Sequence, residues 1–209
     1  IEVSVQDSLG AATAPRLIFD LGGGSLELVY VRPGVASRRV SLRLGVRRFP
    51  ELVGAGPIGR DAVWSARARI QAELARGLVS LGLHSALPQL VGTGGSTRAI
   101  GKLIGLPSSD LRPCPAFDRG GLITLLSDLP PGDVRLFAHA HGLKVDRADS
   151  LLASALIVDT LMMLLDSDQV LTPKAGLGHA LLSVLAQGSL VHPGDLSPLI
   201  RESMESVGL

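Results

Sequence analysis

The sequence predicts an α/β domain, and three stretches carry that expectation. Leu17-Ile-Phe-Asp-Leu-Gly-Gly-Gly-Ser-Leu-Glu-Leu-Val-Tyr-Val31 reads as two alternating strands joined by a glycine turn. Leu90-Val-Gly-Thr-Gly-Gly-Ser-Thr-Arg-Ala-Ile-Gly-Lys-Leu-Ile104 reads as a short strand, a second glycine turn and a helix with Ile100, Leu103 and Ile104 on one face. Residues 150–166 are apolar nearly all round, the mark of a helix buried on most sides.

Composition bounds the rest. The chain has 209 residues, 46% of them hydrophobic, which is enough for a sizeable core in one domain or two small ones. Net charge is +1 and aromatics are 3%, so neither a strong field nor stacking platforms point to nucleic acid. The most apolar window, residues 151–165, is too short to span a bilayer and contains Asp159, so no membrane segment is expected. Cys114 is the only cysteine, which rules out an internal disulfide and suits a reducing, cytoplasmic setting. The chain opens on Ile1 with no signal-peptide layout, and reads as a fragment or a processed product.

In chain order, residues 1–5 read as an edge strand and residues 10–15 as a small-residue linker, giving an N-terminal segment 1–16. The main domain follows at 17–190. In its first hairpin Leu17, Phe19 and Leu21 alternate with Ile18 and Asp20, and Leu26, Leu28 and Tyr30 alternate with Glu27 and Val29. Gly22, Gly23 and Gly24 can take positive φ without steric cost, and consecutive N–H groups with Ser25 form an anion cradle. Asp20 at its entrance suits a hard cation such as Mg²⁺. Taken alone, this turn equally fits a loose hairpin connection.

A third strand follows with Val40, Leu42 and Leu44 inward, then a loop at 52–59 and a helix from Asp61 with Val63, Ile70, Leu74 and Leu78 on one face. Its arginines, Arg60, Arg67, Arg69 and Arg76, are expected mostly in solvent. At the second glycine turn Gly92, Thr93, Gly94, Gly95 and Ser96 line a helix start, with Ser96 or Thr97 as N-cap and Arg98 adding a charge. Unpaired N–H groups and the helix dipole make such a start an anion site, although a plain capped helix would look the same. Helices are expected at 120–129 and from 133. His139 and His141, two apart, would not share a helical face as metal ligands do. Asp159 must find a partner. A short strand at 169–171, a third glycine turn at 174–178 and a helix at 179–187 complete the domain. The tail, 191–209, carries a short helix around 199–204.

The motifs in combination resemble a known family. Two glycine turns, one opening a hairpin and one opening a helix, resemble the phosphate-facing loops of an actin-like ATPase domain. Asp20-Leu-Gly-Gly-Gly-Ser-Leu-Glu-Leu-Val29 resembles the Asp-Ile-Gly-Gly-Gly-Ser-Thr-Glu-Leu-Val signature of the exopolyphosphatase/guanosine-pentaphosphate phosphohydrolase family. Ser41-Leu-Arg-Leu-Gly-Val-Arg-Arg-Phe49, Val91-Gly-Thr-Gly-Gly-Ser-Thr-Arg-Ala99, Arg147-Ala-Asp149 and Gly176-Leu-Gly-His-Ala-Leu-Leu182 are similar to further family segments, in the same order.

That resemblance implies an actin-like, ribonuclease-H-like fold, with a mixed central sheet and helices on both faces, here the second half of a domain pair. It implies Mg²⁺-assisted attack of water on the terminal phosphoryl group of polyphosphate or guanosine pentaphosphate. Asp20 would place the metal or the attacking water, Glu27 would be the acid near that water, and Gly22 to Ser25 would hold phosphates. The family's first half, which carries another phosphate loop and the usual catalytic base, has no counterpart here. An uncovered cleft face could make the chain self-associate as a homodimer. Three departures stand out: Leu26 replaces a hydroxyl residue of the turn, and Gly178 and His179 replace an Arg and a Glu. These departures keep a non-catalytic polyphosphate- or nucleotide-binding module open as the alternative.

Overall fold

A computed structural model describes residues 1–53, 60–83, 88–105, 114–128 and 134–173. The expected turn at 174–178, the helices at 179–187 and 199–204, and the positions Gly178 and His179 lie outside these residues.

The chain begins with helix α1 (Glu2–Leu9), then folds β1 (Arg16–Leu21), β2 (Leu26–Arg32) and β3 (Val35–Leu42) as an antiparallel meander. A 3₁₀ turn at Val46–Arg48 leads through α2 (Phe49–Val53) to the long helix α3 (Arg60–Ser80). That helix returns the chain to β4 (Gln89–Thr93), which lies parallel to β1. Next come α4 (Gly94–Leu103), β5 (Ala116–Asp118), α5 (Arg119–Ser127), α6 (Val134–Ala140), α7 (Val145–Leu164) and β6 (Gln169–Leu171). The sheet has the order β3-β2-β1-β4-β6-β5, with β4–β6 parallel and β5–β6 antiparallel. The sheet is therefore mixed, as expected, although the three-residue β5 left no readable pattern in the sequence.

Alternation along β1 and β2 sorts two cores. Leu17, Phe19, Leu21, Leu26, Leu28 and Tyr30 join Ile70 and Leu74 of α3 and Leu152 and Leu156 of α7 on one face. Ile18, Val29, Val31 and Val91 form a smaller cluster on the other face, covered by Val5 of α1.

That cover corrects the expectation of an edge strand at residues 1–5. Strand β1 already has β2 on one side and β4 on the other, so no edge beside it is vacant. The sheet's second face does need burying. Ile1, Val5 and Leu9 recur at helical spacing and pack there, and Gly10, at φ 76°, ends the helix.

Helix α7 is the spine of the larger core: every residue from Leu151 to Met162 is buried. Asp159 sits among them, 1% exposed. Its Oδ2 accepts from Arg67 of α3 and its Oδ1 from Arg119 at the start of α5, at 2.5 and 2.8 Å. Arg67 thus turns inward rather than to solvent, and its guanidinium also stacks on Trp64 at 4.6 Å. One carboxylate therefore ties three helices together.

Removing one partner of such a buried pair leaves charge unneutralised. Asp159→Ala should lower stability by about 3 kcal/mol in urea unfolding, the low end for buried pairs because both arginines keep some solvent contact. Arg76→Ala, on the exposed side of α3, should change it by less than about 0.5 kcal/mol.

Candidate functional site

The carboxyl ends of β1 and β4, which are parallel neighbours, open at the same edge of the sheet. Both glycine turns therefore lie together, one after each strand. Register puts Asp20 opposite Glu27 on β2 and opposite Thr93 on β4, while Glu27 lies opposite Ser41 on β3. Residues in register share a face, so Ser41, Glu27, Asp20 and Thr93 form one row across four strands. Two acids in that row face each other directly. Like charges in such a pair work against the sheet, which makes the row the candidate site.

Each carboxylate is held differently. Glu27 Oε1 accepts hydrogen bonds from the Ser25 hydroxyl at 2.6 Å and the Ser41 hydroxyl at 3.0 Å. Two hydroxyls on one oxygen fix the carboxylate plane and leave Oε2 outside that pair of bonds. Burial pushes the Asp20 carboxyl above its usual range, and the neighbouring Glu27 charge pushes it the same way. The N-terminal ammonium, the Arg98 charge and the Thr93 hydroxyl pull against that shift.

In the first turn the close approach falls on Gly45, which packs against Gly23 and Gly24. None of Gly22, Gly23 or Gly24 has positive φ, contrary to the sequence expectation. Gly22 N–H donates to the Ser25 carbonyl at 3.0 Å, while the Gly22 and Gly23 carbonyls accept from the amides of Val46 and Arg47 at 3.1 and 2.9 Å. Among the described residues the N–H groups of Gly23, Gly24 and Ser25 donate to no backbone carbonyl, as an anion cradle requires. Gly45 presses on this turn from below: a Cβ there would stand 2.2 Å from the Gly23 oxygen. The Arg47 side chain lies over Gly23, where a Cβ would meet Nε at 3.0 Å.

The second turn is different. Gly94 does take positive φ, +86°, and a Cβ there would stand 2.4 Å from Asp20 Oδ1. The start of α4 thus backs directly onto the carboxylate. Thr93, not Ser96 or Thr97, is the N-cap. Thr97 lies inside the first turn, buried, and donates to the Thr93 carbonyl at 3.0 Å. The Thr93 hydroxyl itself donates to the Phe19 carbonyl at 3.2 Å, so it braces β4 against β1. Gly92 is buried where a Cβ would strike Phe19 and Thr97, which makes it a packing residue. Gly95 and Arg98 are exposed and Ser96 is half-buried, all near the open edge.

Leu26 is fully buried in the larger core, on the opposite face from Glu27. Its departure from the family signature therefore takes no hydroxyl away from the turn. Among the described residues no three His, Cys, Asp or Glu side chains gather as a metal cage, and no helix is long and apolar enough to cross a membrane. Two carboxylates side by side still fit Mg²⁺, which keeps several waters and takes one or two carboxylates plus substrate oxygens. Cys114 is half-buried beside the Pro115 carbonyl, away from this row. A cleft of about 280 Å³ lined by Pro88, Gln89, Asp166 and Asp168 lies at the other end of the sheet, where Gln89 holds Arg16 at the start of β1.

Two consequences follow from this packing. Gly94→Ala should cost about 1–2 kcal/mol from the left-handed backbone alone, and should displace Asp20 as well. Isothermal titration with Mg²⁺ plus tripolyphosphate should then show binding reduced together with the melting temperature. Asp20→Asn should instead raise the melting temperature at pH 7. A carboxyl with a raised folded-state pKa destabilises the fold once ionised, so the gain should be full above that raised pKa. It should vanish below the ordinary value of 3.8, where both states are protonated. Thermal melts from pH 3 to 8 measure it.

Comparison with known proteins agrees with the fold. A Ppx/GppA phosphatase family profile matches residues 2–187. No curated protein sequence matches significantly. The crystal structure of the type II variant of the Aquifex aeolicus Ppx/GppA phosphatase is similar, with TM-score 0.68 and 19% identity over 86% of this chain and 59% of that one. An exopolyphosphatase from Cytophaga hutchinsonii gives TM-score 0.69 at 17% identity, over 90% of this chain and 62% of that one. The chain thus spans about three-fifths of the length of these proteins. With most of its length matched and its mixed sheet superposing on theirs, the chain belongs to the Ppx/GppA phosphatase family.

Proposed function

We propose that this chain is the phosphate-gripping part of a phosphohydrolase acting on phosphoanhydride bonds of inorganic polyphosphate, guanosine pentaphosphate or both, in a cytoplasmic setting. The observation that carries the reading is the Asp20–Glu27 pair, set between two glycine turns at one sheet edge. Phosphoryl transfer needs positioning and charge neutralisation more than covalent chemistry.

In this reading Gly22, Gly23, Gly24 and Ser25 hold the terminal phosphates from one side. Gly94, Gly95, Ser96 and Arg98 hold them from the other. Asp20 would hold Mg²⁺, which would neutralise phosphate charge and polarise the phosphoryl group. Glu27, kept in one orientation by Ser25 and Ser41, takes the proton of the attacking water. The water oxygen bonds to the terminal phosphorus, the bridging P–O bond breaks, and the shortened chain leaves on the former bridging oxygen. The longer relatives make a second half-domain, closing over this edge, part of the proposal. A homodimer through the same open edge is a subsidiary expectation.

The alternative is a module of the same family that binds the anion without cleaving it. It is favoured by one observation: beyond Asp20 and Glu27, no third acid joins the row among the described residues.

Phosphate release from long-chain polyphosphate with Mg²⁺ separates the two, measured on this chain and on the full-length protein. Asp20→Ala should abolish release and Glu27→Gln should slow it about 10²–10⁴-fold. Release that survives Asp20→Ala would refute the hydrolytic reading. Tight binding without release from the full-length protein would select the module.

A further inference from the structure

The chain's near-zero net charge conceals a local imbalance. Between Glu27 and Glu51 there is no acidic residue, while Arg32, Arg38, Arg39, Arg43, Arg47 and Arg48 all fall in that interval. Arg32 ends β2, Arg38 and Arg39 lie on β3, the end strand of the sheet, and Arg43, Arg47 and Arg48 lie on the segment beyond it.

Register divides them by face. Arg39 is opposite Val29, on the same face as Ser41, Glu27 and Asp20, and Arg38 is opposite Tyr30, on the other. Arg39 and Ser41 are about 7 Å apart along the strand. Arg43 is exposed where the strand ends, and Arg47 reaches over Gly23 of the phosphate turn. Arg39, Arg43 and Arg47 are exposed, and among the described residues none has an acidic partner. Arg48, by contrast, is paired with Glu51 at 2.9 Å.

We infer that Arg39 and Arg43 form a distal subsite for a long inorganic polyphosphate, whose reactive end lies at the glycine turn under Arg47. The inference rests on the proposed function and deepens it, since it favours an extended anion over a compact nucleotide. Cations spaced along an exposed strand match a repeating anion running beside it. No exposed aromatic ring lines the strip to stack a base: Tyr30 is buried, and Trp64 lies on α3. Edge strands also carry charge merely to deter aggregation, and that explanation leaves polyanion affinity unaffected by these arginines.

The test is equilibrium binding to the full chain of three probes: polyphosphate of about a hundred units, tripolyphosphate and poly(U). The comparison is wild type against Arg39→Ser/Arg43→Ser, with Arg38→Ser as a control on the opposite face. The double variant should bind the long polymer at least about tenfold more weakly, and the slope of log affinity against log salt should fall by roughly 1 to 2. Tripolyphosphate affinity should stay within about twofold, and Arg38→Ser should behave as wild type. The inference is overturned by unchanged long-chain affinity, by equal loss in Arg38→Ser, or by equal loss for tripolyphosphate. Poly(U) bound as tightly through the same arginines, or no polyphosphate binding by the wild type, overturns it too. Because the readout is binding, it separates from the hydrolytic reading: release that resists Asp20→Ala would sink that reading and leave the chain-length contrast standing or falling by itself.

Discussion

The site depends on a repulsion that the fold sustains. Asp20 and Glu27 stand opposite each other in an antiparallel pair, a placement that costs stability in an ordinary sheet. Hydroxyls of Ser25 and Ser41 absorb part of that cost at Glu27. At Asp20 it shows as a carboxyl pushed above its usual range by burial and by its neighbour. A pair of this kind is satisfied fully only when positive charge arrives between or beside the two oxygens. In the proposed function that cost is relieved by the bound cation, the arrangement expected of a sheet built for chemistry rather than for stability alone.

Glycine serves this arrangement in two physically separate ways. In the first turn no backbone angle demands it, and what matters is that Gly45 and the Arg47 side chain can close on Gly23 and Gly24. The amides of Val46 and Arg47 then take the Gly22 and Gly23 carbonyls, leaving N–H groups as the polar surface offered to an anion. At Gly94 both demands coincide, a left-handed backbone and a carboxylate oxygen where Cβ would be. Similar-looking glycine runs thus have different tolerances. The first would tolerate a small side chain at Gly24, which has open space around it, while Gly94 would not.

Much of the fold was legible because the signals were local. Period-two alternation gave β1, β2 and β3, and the two glycine turns marked the edge where the site lies. Helix α1 was misread although Ile1, Val5 and Leu9 carry a helical period, because five residues of alternation look like a strand until the neighbours of β1 are known. The burial of Arg67 was not legible, since its partner Asp159 lies 92 residues away and no local pattern announces an ion pair. The Asp20–Glu27–Ser41 row was half legible: alternation put the acids on one face, but only strand register put them side by side. Leu26 was read as a loss to the turn because its sequence neighbours are turn residues, whereas its strand parity sends it into the core.

The distribution of polar energy across the domain explains why such an edge can be kept open. The buried carboxylate of Asp159 is matched by two arginines and locks α3, α5 and α7 behind the sheet. At the Asp20–Glu27 pair, hydroxyls of Ser25 and Ser41 hold Glu27, and the N-terminal ammonium, Arg98 and the Thr93 hydroxyl act on Asp20. Asp159 is buried and neutralised by two arginines, whereas Asp20 and Glu27 are half-buried and stand against each other. Arginines that would have neutralised them, Arg39, Arg43 and Arg47, sit on the neighbouring strand and loop instead of in contact with the acids. In the proposed function, a sheet that keeps its cations beside its carboxylates, not on them, takes a metal at one and a polyanion along the other.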